Sequence, residues 1–101
     1  MIKHIVFFNL ADFAEGKSKT ENALYIKSEL ENLMYVIPEI QYIEVGINAD
    51  FAPTSNFDIA LFSEFASMSD LDAYQVHPEH KRVASYIAKV KTDRVCVDYQ
   101  V

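Results

Sequence analysis

Apolar residues along this chain keep two rhythms, a period of two and a period of three to four, and the switches between them divide it into elements. "IKHIVFFNL" is β-branched and aromatic, which predicts a strand over residues 2–10, and the loop "ADFAEGKS" follows. From Lys19 to about Val36 the apolar residues Ala23, Ile26, Leu30, Leu33 and Ile37 recur at helical steps and share one face, until Pro38 ends the helix. "EIQYIEVGI" sets Gln41, Ile43, Val45 and Ile47 against Tyr42 and Glu44, a second strand, and "NADFAPTSN" supplies turn residues. "FDIALFSEF" is the third strand. Ser69, with Asp72 three residues on, marks a helix start. That helix is expected to run to about Ala88 and to break near Pro78, because the residue before a proline avoids helical angles. "RVCVDYQV" closes the chain as a strand, with Val95, Val97, Tyr99 and Val101 alternating against Cys96, Asp98 and Gln100.

The order β-α-β-β-α-β predicts a ferredoxin-like α+β domain: an antiparallel four-stranded sheet, its strands ordered 4-1-3-2, with both helices on one face. At 101 residues one domain fills the chain. Strand one is apolar on both sides, with Ile2, Val6 and Phe8 on one and Ile5 and Phe7 on the other. A second apolar face calls for cover, and a homodimer packing sheet on sheet is the simplest source.

Composition narrows the partners. Half the residues are hydrophobic and only two are glycine, which fits regular packed elements. A formal net charge of −6 without any basic run argues against nucleic acid or an anionic membrane as partner. The lone Cys96 can form neither an intrachain disulfide nor a multi-cysteine metal site, and reads as an inert strand residue. The apolar run Ile5 to Phe8 is shorter than a signal-peptide core or a spanning helix, so a soluble, cytoplasmic protein is expected. Glu15, Glu21, Glu29 and Glu31 read as solvated surface. Phe7, Phe8, Phe62, Phe65 and Tyr99 read as core or interface.

The stretch "YQVHPEH" holds the candidate chemistry, with Tyr74, His77 and His80 at steps of three. No metal is expected there, because His77 precedes Pro78 and the chain lacks further ligands at metal-binding spacing. His77 reads instead as the N-cap of a restarted helix, with Pro78 in its first turn. In this topology the start of strand one and the end of strand four lie at the sheet edge where the second helix begins. His4, Tyr74, His80, Asp98 and Tyr99 can therefore converge, while Asp58 lies at the opposite edge. A histidine held by a carboxylate beside a phenol is a workable cofactor-free acid/base set. The same residues could equally form a hydrogen-bonded structural cluster.

"IKHIVFF", "YQVHPEH" and "CVDY" together resemble the stress-responsive A/B barrel (Dabb) family over essentially the whole chain. The resemblance implies a dimeric α+β barrel with a pocket between each sheet and its helices. The family's best understood enzyme is a cofactor-free plant polyketide cyclase that forms olivetolic acid by aldol condensation. By motif, its catalytic tyrosine and histidine fall on Tyr74 and His80, the aspartate supporting that histidine on Asp98, and its N-terminal histidine on His4. Where the cyclase has a further pocket histidine this chain reads Phe57-Asp58-Ile59, a departure that bears on the substrate. The expected function is binding or transformation of a small apolar carbonyl compound. Alternatives are a non-catalytic stress-associated dimeric module and a cofactor-free monooxygenase.

Overall fold

A computed structural model describes all 101 residues. Strand β1 (Ile2–Leu10) leads to a short hairpin of β2 (Phe13–Ala14) and β3 (Lys17–Ser18), then to α1 (Lys19–Asn32), which tightens into a 3-10 turn at Leu33–Tyr35. Strands β4 (Tyr42–Ile47) and β5 (Ile59–Phe65) follow, then α2 (Met68–Val76), α3 (Pro78–Val90) and β6 (Lys91–Gln100). The four long strands form one antiparallel sheet in the order β4-β5-β1-β6, the ferredoxin-like arrangement. No helix is long and apolar enough to cross a membrane.

The hydrophobic core lies between the helices and one sheet face. Ala23, Ile26, Leu30, Leu33 and Ile37 are all buried there, as their spacing predicts, against Val6, Phe8, Val45, Ile59 and Leu61. The other sheet face carries Ile5, Phe7, Phe62, Val97 and Tyr99, with no element of the chain over it. Phe8 and Phe65 belong to the core, whereas Phe7, Phe62 and Tyr99 lie on the open face.

Two local features depart from the sequence reading. The loop after β1 contains a hairpin turned by Glu15 and Gly16, both at positive φ (52° and 75°), the pair of angles that a tight two-residue hairpin turn requires. The second helical segment begins earlier than expected. Ser67, not Ser69, caps α2, accepting from the Asp70 amide at 3.1 Å.

The acidic residues of α1 are more than a solvated surface. Glu21 completes a reciprocal cap with Ser18, and Glu29 pairs with Arg82 of α3. Glu31 accepts from the backbone amide of Val45 at 3.0 Å, and Lys27 donates to the Val45 carbonyl at 2.5 Å. These two side chains occupy backbone groups at the middle of edge strand β4. Burial alone would raise the Glu31 carboxyl, but the Val45 amide and the Lys27 ammonium outweigh it and hold it below its ordinary value.

Between α2 and α3 the chain leaves helical angles for one residue. His77 is extended (φ −63°, ψ 136°) and its Nδ1 accepts from the Glu79 amide at 3.1 Å, while Pro78 opens α3 where a missing amide costs little. His77 is therefore a helix cap.

Replacing His77 with Ala should cost about 1 kcal/mol in chemical denaturation, the usual loss for a missing N-cap, while His77→Asp should retain most of it. If His77→Asp is as unstable as His77→Ala, capping is not what the side chain does. Glu31→Ala should cost about 1 kcal/mol through the unpaired Val45 amide. Because the Glu31 carboxyl is held down in the folded state, its contribution is complete above the ordinary carboxylate value and is lost as pH falls through the lowered one. The stability gap between wild type and Glu31→Gln should accordingly shrink in acid. A gap that is constant from neutral pH into acid would rule this linkage out.

Candidate functional site

Strand parity decides which side chains meet. Residues directly opposite on neighbouring strands share a face, and β1 pairs with β6 as His4 with Asp98, Val6 with Cys96 and Phe8 with Arg94. His4 is buried on the helix side, so Asp98, Cys96 and Arg94 stand along that same side. The Asp98 carboxylate accepts a hydrogen bond from His4 Nδ1. Asp98 thus supports His4, not His80 as the resemblance implies, because the cross-strand neighbour lies closer than a residue on the overlying helix. Tyr99 is also displaced from the expected cluster. It pairs with Lys3, whose ammonium lies over the Phe62 ring, and so it faces the open side of the sheet, away from His4.

His80, in the first turn of α3, donates its Nδ1 proton to the Gln75 carbonyl at 3.1 Å, since a carbonyl can only accept. The lone pair is then on Nε2. Burial holds His80 below the ordinary imidazole value, opposed by the Gln75 bond and reinforced by His4, Arg94 and His77, so the ring is neutral at pH 7. In a neutral His4 ring the carboxylate of Asp98 likewise puts the proton on Nδ1 and the lone pair on Nε2.

Tyr74 on α2 packs its ring 4.5 Å from that of His80, 5.0 Å from Phe65 and 6.3 Å from His4. Its hydroxyl is sealed from solvent and has no hydrogen-bond partner within the chain. Burial pushes this phenol far above its ordinary value, so it remains a proton donor. His4, Tyr74, His80 and Asp98 do converge, but in the order Asp98–His4 and His80–Tyr74.

A cavity of about 180 Å³ opens beside the two imidazoles. Its helical wall is Leu30 of α1 together with a stripe of α3 and the residue that follows it: His80, Ala84, Ile87 and Lys91, at steps of four, three and four. The sheet side contributes His4, Val6, Phe8, Leu61 and Arg94. Tyr74 does not line this space and sits behind His80. Ala84 is the position where a larger side chain would fill the space.

Asp58 is far from the cluster, accepting from the Leu10 amide at 2.8 Å and pairing with Lys19. A wider groove of about 830 Å³ beside Phe7, Ile47 and Phe57 carries no titratable side chain in its lining.

His4, Cys96 and Asp98 place one nitrogen, one sulfur and one carboxylate oxygen within 4.8 Å of one another, a mixed donor set of the kind zinc accepts. Two of the three donors already bond each other, and burial followed by the Asp98 charge pushes the Cys96 thiol up, keeping it protonated. The trio is accounted for as a hydrogen-bonded group. Sequence reasoning missed Lys91 and Arg94, although the step from His80 to Ala84, Ile87 and Lys91 is visible along the chain.

The sequence profile of the Stress responsive A/B Barrel Domain (Dabb) family matches residues 2–101. A stress-response A/B barrel domain-containing protein of Arabidopsis thaliana is 30% identical over 98% of this chain and 46% of its own length, so this chain spans about half of that relative. A crystal structure of a dimeric protein of unknown function and ferredoxin-like fold from Bacteroides fragilis is 38% identical, covering 99% of this chain and 95% of that one with a TM-score of 0.81. The hydroxynitrile lyase of Passiflora edulis shares the fold, with 22% identity, a TM-score of 0.80 and coverage of 99% of this chain and 92% of that one. With the profile match running from the second residue to the last, this chain belongs to the stress-responsive A/B barrel (Dabb) family.

Proposed function

We propose that this domain works as a dimer through its open sheet face, and that each protomer binds a small apolar carbonyl compound and moves a proton on it without a cofactor. The observation that carries this reading is the pair of imidazoles on one small apolar cavity, each with Nδ1 occupied and Nε2 unbonded within the chain. His4 is the base: when Nε2 takes a proton, the Asp98 carboxylate stabilises the imidazolium that forms. His80 has no such counter-charge and, being buried, resists protonation. Its role is to accept a hydrogen bond from the hydroxyl of the enol that the ligand forms when it loses an α-proton. Tyr74 keeps its unpaired hydroxyl next to His80 but outside the cavity, so it becomes the donor for an oxygen that gains charge only when its side chain turns into that space. The dimeric relative from Bacteroides fragilis supports the assembly, and a lyase on the same fold in Passiflora edulis is compatible with catalysis.

A second reading rests on Tyr74 being sealed from the cavity: a non-catalytic module that binds its ligand and leaves it unchanged. Deuterium uptake at the α-carbons of cyclohexanone, followed by proton NMR in heavy water, separates the two. Wild type should accelerate uptake over buffer, and His4→Gln should remove about 100-fold or more of that acceleration, the usual worth of a general base. Asp98→Asn should lower it too, while Tyr74→Phe should lower uptake yet leave stability equal or about 1 kcal/mol higher, because it deletes an unpaired buried hydroxyl. No acceleration by wild type, or a Tyr74→Phe protein that is less stable with uptake unaltered, would leave only the binding module.

A further inference from the structure

The cavity has two chemically different ends. His4 and His80 stand at one. At the other, Arg94 lies beside Phe8, four residues along β1 from His4, or about 13 Å at the strand repeat. Lys91 lies eleven residues beyond His80 along the α3 stripe, about 16 Å at the helical rise. These are backbone spans, and the Arg94 side chain reaches back along them, where its charge acts on His80 and it bonds the Cys96 thiol, so the two ends of the channel lie closer together than their backbones, with Val6, Leu30, Ala84 and Ile87 between them. Its far end holds two cations in a chain whose net charge is −6, and neither Lys91 nor Arg94 takes part in any of the chain's ion pairs. Asp93, next to Arg94 in β6, accepts from the Arg94 backbone amide at 2.8 Å and forms no ion pair with its guanidinium, while Asp98 is bonded to His4.

We infer that the ligand is an elongated small organic anion, an apolar body ending in a carboxylate that Lys91 and Arg94 hold, with its other end against His4 and His80. The volume sets the size. An apolar cavity of about 150 Å³ accepts benzene, so one of about 180 Å³ takes about six to nine heavy atoms. A planar guanidinium can hold a carboxylate through two parallel hydrogen bonds, and the neighbouring ammonium adds charge. Held there, the molecule lies along the channel with its far carbons at the imidazoles. This deepens the acid/base reading and rests on it for the ligand's reactive end, naming the substrate class as small oxo acids with a hydrocarbon body.

Calorimetric titration of the purified protein with hexanoate and with hexanamide tests it, since the two probes match in length and differ in charge. Hexanoate should bind about fivefold or more tightly than hexanamide, the modest gain due to partly exposed charges. The preference should vanish in Lys91→Gln/Arg94→Gln, whose substituted side chains are exposed and outside the core, and Ala84→Leu should abolish binding of both probes. The ring-proton NMR signals of His4 and His80 should shift when hexanoate binds to wild type. Equal affinities, a preference that survives the double variant, binding that survives Ala84→Leu, or no binding of either probe would each overturn the inference. Because the exchange assay uses a neutral ketone, acid/base chemistry can stand where carboxylate recognition fails, and the reverse.

Discussion

Pro78 forces the second helical segment to end and begin again within one residue, and the position of that restart determines the site. His77 leaves the helical angles, turns its ring back to cap the new helix, and sends α3 off in its own direction over β1 and β6. Once α3 is so placed, every fourth or third residue faces the sheet. The stripe begins with an imidazole, passes a small residue and ends with an ammonium. A continuous helix would carry His80 around with Tyr74 on the turn before it. The interruption lets the two rings pack at a tilt while only one of them looks into the cavity.

The polar groups at this end are arranged economically. Each imidazole gives its Nδ1 proton to an acceptor built into the scaffold, a strand carboxylate for His4 and a helix-end carbonyl for His80. The acceptors differ in what they allow. A carboxylate can stabilise a charged ring, whereas a backbone carbonyl in a buried setting fixes orientation and leaves the ring neutral. Two residues of one type therefore acquire different competences from their neighbours, which is how a small fold can divide acid/base work. The buried phenol of Tyr74 is the one cost visible in this cluster, a hydroxyl without a partner in a core that otherwise satisfies its polar atoms.

Much of this was legible in the chain. Strand β1, the apolar face of α1, the break at Pro78 and the cap at His77 all followed from periodicity and from the backbone chemistry of proline. The hairpin at Glu15-Gly16 was missed because strands of two residues have no periodicity to read. The partner of Asp98 was missed for another reason: it depends on strand register, which one sequence does not display, and the register sets Asp98 opposite His4. Tyr99 was an avoidable error, since adjacent strand residues face opposite sides and a tyrosine next to Asp98 cannot share its pocket. Ser67 and Ser69 are both plausible caps by type. The structure chooses Ser67, two residues nearer the end of β5.

The clamp of Lys27 and Glu31 on Val45 also bears on how sheets of this kind grow. Stacking of chains edge to edge needs two free edges, one to receive a neighbour and one to offer to the next. Here β4 is obstructed at its midpoint, while β6, at the opposite end of the sheet, is exposed along its whole length. Through backbone pairing such a molecule could take one neighbour and would then present only blocked edges, so the chain growth that leads to fibrils would stop at a pair.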